Sequence, residues 1–107
     1  MRQDFNGEQW VDGDGRPAGG VNCGTGFCIS WQNGPLGLGA DRKQPNGAFV
    51  ETILAVVASR IEFYNSAGFK CDENDEALSH IYAALEALKR RTARRVEAGV
   101  EGTHEGS

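Results

Sequence analysis

From Asp72 to Val96 the apolar positions recur at helical spacing. Leu78, Ile81, Tyr82, Leu85, Leu88, Thr92 and Val96 fall on one stripe, the i, i+3, i+4, i+7 pattern of an amphipathic helix. Asp72, Asp75 and Glu76 supply capping and acidic groups at its start, where unpaired N–H groups and the positive end of the helix dipole attract them. Lys89, Arg90, Arg91, Arg94 and Arg95 crowd its end, and Gly99 stops it. At about 1.5 Å per residue the helix is roughly 35 Å long. A helix cannot bury its own stripe, so the rest of the chain must supply a partner surface. A second helix is expected from about Ala48 to Tyr64, capped by Asn46, with a seam of Val50, Ile53, Leu54, Val57, Ile61 and Tyr64. Its middle, Ile53 to Ala58, is apolar nearly all round, which implies burial on more than one side. The long helix covers one side, and another subunit is expected on the other. Asn65 to Lys70, with Gly68 in the middle, turns the chain, so the two helices should form an antiparallel hairpin.

Ahead of the helices the period changes to two. Val21 to Gln32 is the strongest strand candidate, with Phe27, Ile29 and Trp31 alternating against Cys28, Ser30 and Gln32. Asn33-Gly34-Pro35 makes a turn, Leu36 to Gly39 continues loosely, and Asp41 to Gly47 is a polar loop carrying Arg42 and Lys43. Met1 to Gly20 has the turn chemistry of a flexible or loosely packed arm, through Asp12-Gly13-Asp14-Gly15 and Pro17-Ala18-Gly19-Gly20. Gln9-Trp10-Val11 is a short strand candidate within it, with Trp10 as a surface anchor. The expected fold class is α+β. An arm over 1–20 precedes a single domain over 21–107: a small antiparallel β element and loop (21–45), a helical hairpin that drives oligomerisation (46–99) and a tail (100–107).

Composition narrows the function classes. A chain of 107 residues suits one small domain with a modest core. A formal charge of −4 argues against binding a nucleic acid polymer, which calls for a basic excess. No run of about 18 apolar residues is present, so no membrane span is expected. The N-terminus carries no signal-peptide h-region, which points to the cytosol. Cys23, Cys28 and Cys71 are odd in number and fit free thiols better than a disulfide framework. No second ligand pair follows Cys23 and Cys28, and His80 and His104 are isolated, so no metal site is expected. Gly24-Thr25-Gly26 could bring backbone N–H groups to a phosphate, but a bulge or bend accounts for it more simply.

No nucleophile–base set, HExxH, Walker loop or close carboxylate pair is visible, so neither catalysis nor a cofactor is expected. The arginine cluster is the informative feature. One or two cations satisfy a helix end, and five of the seven residues from Lys89 to Arg95 are basic. The 100° helical step puts Arg90 and Arg94 on the solvated face. Arg91 and Arg95, one turn apart, flank the apolar stripe on the side of Ala77 and Ala84. Two guanidinium forks at that spacing suit a phosphate or pyrophosphate, and a plain ion-pair role is the alternative. Phe63, Tyr64 and Phe69 cluster at the bend beside Asn74. Such aromatics usually belong to a core, yet a ring plus an amide also holds a purine, by stacking and by edge hydrogen bonds.

Several segments occur together in one order: Trp31-Gln32-Asn33-Gly34-Pro35, Pro45-Asn46-Gly47-Ala48-Phe49-Val50-Glu51, Glu62-Phe63-Tyr64, Cys71-Asp72-Glu73-Asn74, Arg91-Thr92-Ala93-Arg94-Arg95 and Val100-Glu101-Gly102-Thr103-His104. Over about Trp31 to His104 the chain resembles the phage Thoeris anti-defence proteins of the first type, which share a helical hairpin with the anti-CBASS cyclic-nucleotide sponges. The resemblance implies a phage protein of the host bacterial cytoplasm that binds an immune signal without cleaving it. The implied signal is a cyclic ADP-ribose isomer, with cyclic di- or trinucleotides held at a separate site, and the implied assembly is a homo-oligomer, a hexamer built through the hairpins. By resemblance the base-binding aromatic and asparagine fall on Phe63 or Tyr64 and on Asn74, and the phosphate-binding arginines on Arg91 and Arg95. Trp31 joins the candidate ligand-binding residues, and Arg42 is a candidate for the second site. Two other classes compete: a phage structural or assembly protein using the hairpin for subunit contacts, and a small helical nucleic-acid-binding protein using the arginine cluster.

Overall fold

A computed structural model describes residues 1–98. It contains an N-terminal three-stranded antiparallel sheet and two C-terminal helices, an α+β arrangement. Strands β1 (Phe5–Val11), β2 (Pro17–Gly24) and β3 (Phe27–Trp31) pair in sequence order. Helices α1 (Val50–Tyr64) and α2 (Asp72–Glu97) are joined by a bend over Asn65–Phe69. The described residues fall into two compact units, Met1–Phe49 and 50–98. Gly99 and the tail 100–107, including the Val100–His104 segment, lie outside the described residues.

In the first unit the stretch read as an arm supplies β1 and the first half of β2. Asp12 makes the connection: its Oδ1 accepts the backbone N–H of Asp14 (2.9 Å) and of Arg16 (3.0 Å), an Asx turn that closes the hairpin. The Val21–Gln32 strand candidate is a second hairpin rather than one strand. Thr25-Gly26 is its two-residue loop, with Gly24 opposite Phe27 and Cys23 opposite Cys28. Phe27, Ile29 and Trp31 are half-buried while Cys28 and Ser30 are exposed, the alternation expected of a one-sided strand. The register corrects the cysteine expectation: Cys23 and Cys28 stand 4.1 Å apart at Cα and are disulfide-bonded, leaving Cys71 as an exposed free thiol. Their i, i+5 spacing is that of directly opposed residues two positions from the middle of a tight hairpin, which spacing alone, without the turn, does not reveal.

Asn46 does not cap α1. Its Oδ1 accepts the Asn33 N–H (2.8 Å), its Nδ2 donates to the Asn33 carbonyl (3.1 Å), and its own N–H donates to Gln32 Oε1 (2.9 Å). The segment behind it runs beside β3: Ala48 N donates to Ser30 O (2.7 Å) and Gln32 N donates to Ala48 O (3.0 Å). A Cβ on Gly47 would stand 2.5 Å from the Trp31 carbonyl carbon and oxygen, so only glycine admits this approach.

In the second unit α1 and α2 are in contact. Ala58, 2% exposed, is the most buried residue of α1. The inward positions are Ile53, Leu54, Ala58 and Ile61, while Val50, Val57 and Tyr64, expected in the seam, are exposed. The stripe is thus rotated toward the small residue, which lets a neighbouring helix approach closely. On α2 the inward set is Asn74, Ala77, Leu78, Ile81, Ala84, Leu85, Leu88, Thr92 and Arg95, so Tyr82 and Val96 leave the expected stripe and Arg95 enters it. The cap of α2 is Cys71, without a side-chain bond, while Asp72, Glu73 and Asp75 put negative charge in the first turn. The unit leaves much apolar surface uncovered: Val56 is 60% exposed, and Val57, Phe63, Phe69, Tyr82 and Val96 are exposed with it.

Candidate functional site

The bend between the helices gathers most of the chemistry. Ala67 (φ −92°, ψ 16°) and Gly68 (φ 96°, ψ 7°) leave helical geometry and separate α1 from α2 by a kink; the positive φ favours glycine. Asn74, in the first turn of α2, holds the bend closed. Its Nδ2 donates to Asn65 Oδ1 and to the Phe69 carbonyl, both at 3.1 Å. Both amide hydrogens are therefore engaged, and toward a ligand Asn74 can offer only its Oδ1 as an acceptor. Asp75 completes the clasp, accepting from Asn65 Nδ2 (3.1 Å) and from Lys70 Nζ (3.0 and 2.9 Å).

The rings lie on the α1 side of the bend. Phe63 and Tyr64 have centroids 6.3 Å apart at an interplanar angle of 50°, and both are exposed, as is Phe69. Sequence reasoning missed Arg60. Its guanidinium lies over both rings, 5.1 Å from the Phe63 centroid and 5.0 Å from that of Tyr64, and its Nε donates to the Tyr64 hydroxyl at 3.3 Å. The signal was in the spacing, since Arg60 stands i, i+3 and i, i+4 from the two rings, neighbours on a helix surface. An exposed cation–π contact is worth about 0.5–1 kcal/mol, too little to hold the guanidinium against a stronger partner. Opposite, the Tyr82 hydroxyl donates to Glu62 Oε1. That hydrogen bond, with smaller contributions from desolvation and the negative charge of Glu62, raises the phenol pKa above its ordinary value.

The other sequence candidates lie on other segments of the chain. Arg91 is exposed and Arg95 is buried, 8% exposed. Both lie near the C-terminal end of α2, roughly 30 Å from Asn74 at about 1.5 Å per residue, so one chain does not bring the arginine pair to the aromatic bend. Trp31 and Arg42 belong to the first unit. The Trp31 indole N–H donates to Asn22 Oδ1 at 2.7 Å, which leaves Trp31 a half-exposed ring and no donor. Arg42 is exposed, its backbone N–H bonded to Gly39 O at 3.2 Å. Among the described residues no group of His, Cys, Asp or Glu is arranged to hold a metal ion, and no helix is long and apolar enough to cross a membrane.

No protein-family model matches the chain. Its sequence is, however, 36% identical over 77 residues, 72% of its length, to a curated relative named Thoeris anti-defense 1 from Bacillus phage SBSphiJ7. The chain is a homologue of the Thoeris anti-defence proteins. It spans about half the length of that curated relative, 51%. In this Thoeris anti-defence homologue the end of α1 carries two exposed rings with a guanidinium over them, and Asn74 fastens the bend that follows.

Proposed function

We propose that this Thoeris anti-defence homologue acts in the cytoplasm of an infected bacterium by binding and sequestering a nucleotide immune signal of the cyclic ADP-ribose type, without cleaving it. The observation that carries the reading is the bend: an exposed Phe63–Tyr64 pair at the end of α1, and Asn74, hydrogen-bonded to the adjoining Asn65, whose remaining Oδ1 suits the exocyclic amine of a purine. Phosphates are assigned to Arg91 and Arg95 of a neighbouring chain. The hydrogen-bond partners Glu62–Tyr82 and Asn65–Asp75 rise on one helix as they fall on the other, which supports an antiparallel hairpin. The exposed Val56, Val57 and Phe63 support burial of that hairpin in a homo-oligomer, a hexamer in this reading. Arg42 is assigned to a separate site for cyclic di- or trinucleotides, and Trp31 is kept as a ligand-binding candidate without assignment to either site.

The test is incubation with a panel of cyclic ADP-ribose isomers and cyclic oligonucleotides, then removal of free ligand, heat denaturation and mass spectrometry of what is released. Release of one panel member at its starting mass is expected; a hydrolysed product, or no captured ligand, rejects sequestration. The same uncovered apolar surface favours a second reading, a phage assembly protein, for which oligomerisation without captured nucleotide is the expected result.

A further inference from the structure

We propose that Arg60 is a further ligand-contacting residue, gripping a phosphate of the nucleotide whose base lies on the Phe63–Tyr64 pair. The proposal rests on the sequestration reading above and adds to it a phosphate contact from the same chain that supplies the rings. Three observations carry it. The guanidinium is placed by aromatic faces and one hydroxyl, at 5.1, 5.0 and 3.3 Å, and it forms no ion pair with a carboxylate among the described residues. Glu62, two residues away on α1, is engaged by the Tyr82 hydroxyl. Finally, Arg60 and its rings share one short stretch of α1, so a flat base and an anionic group a few ångströms apart, which every nucleotide carries, meet complementary groups at a matching separation.

The rings hold the guanidinium plane near the site, which reduces the ordering cost when it forks onto a phosphate. A charge-assisted fork is stronger than the face contact it replaces, so the bound state frees the ring faces for the base. An ammonium, being a point charge, reproduces the attraction but not the two-point grip.

The full-length chain and its Arg60→Ala, Arg60→Lys and Phe63→Ala variants would be titrated calorimetrically with cyclic ADP-ribose isomers at low and high salt, with helical circular dichroism recorded for each. Expected is a loss of about 10- to 100-fold for Arg60→Ala, the range of one charge-assisted hydrogen bond, with an intermediate loss for Arg60→Lys. The salt dependence of affinity should also be smaller in Arg60→Ala than in the wild type, which a purely structural role would not produce. Should Arg60→Ala lose helical signal, the lysine variant decides, because it keeps both the stem and the charge. Affinity of Arg60→Ala within about twofold of wild type, or Arg60→Lys equal to wild type, overturns the phosphate grip. If that occurs while Phe63→Ala loses binding, the sequestration reading stands without Arg60. A wild type that binds no isomer overturns both.

Discussion

Asn74 Nδ2 donates to the Phe69 carbonyl at 3.1 Å, tying the first turn of α2 to the end of the bend that precedes it. The same nitrogen also reaches Asn65 Oδ1, so one side chain fastens both ends of the bend. Asn74→Asp places a carboxylate oxygen where the donor was, against two acceptors, whereas Asn74→Ala only removes the bonds. The expected order of thermal stability is wild type, then Ala, then Asp, with about 1 kcal/mol lost per hydrogen bond removed. Melting curves check it, and an aspartate variant as stable as the wild type would contradict the clasp.

A pocket that uses the bend and the arginine pair together needs two chains, because α2 holds Asn74 and Arg95 near opposite ends. Asn74→Ala and Arg91→Ala/Arg95→Ala proteins are each expected to bind poorly. Co-assembled, they should regain a fraction of sites of near-native affinity, since some pockets receive both intact halves. Titration of confirmed mixed assemblies without any returning sites would place the pocket within one chain.

Val56 is 60% exposed in the isolated chain although it sits in an apolar run, Ile53-Leu54-Ala55-Val56-Val57-Ala58. Light scattering at micromolar concentration should show an assembly larger than a dimer. Val56→Glu should dissociate that assembly, because a buried unpaired charge costs several kcal/mol, on the order of 3–5. Circular dichroism separates dissociation from unfolding. A wild-type monomer would contradict the expectation.

The native chain should present one reactive thiol, Cys71, to an alkylating reagent, and three after reduction with dithiothreitol. Four further opposed residue pairs support the β2–β3 register beside Cys23–Cys28, so reduction should leave the hairpin folded. A count of three thiols without reductant in oxidised buffer would show the pair unlinked; loss of sheet signal on reduction would show that the bond, not the ladder, holds the hairpin.

Local chemistry in the sequence determined α2 almost to its ends, since acidic residues, an apolar stripe and a cationic last turn all lie within one continuous segment and a helix bonds to itself every four residues. The same holds for the bend, legible from Gly68 between two apolar periodicities, and for the α+β order of the chain. The pairing of Phe5–Val11 was not legible. That strand carries Gly7 and Glu8 and has no clean alternation, and it exists through its register with β2, a partner that local propensity does not name. Tertiary structure also decided that Asn46 binds Asn33 rather than capping α1, a choice between two acceptable partners set by where β3 runs. It rotated the α1 stripe onto Ala58, because in a segment apolar nearly all round hydrophobicity cannot select a face and close packing on a small side chain can. And it placed Arg60 over Phe63 and Tyr64: helical spacing made them neighbours, but only the side-chain conformations turned three adjacent residues into one cationic aromatic surface.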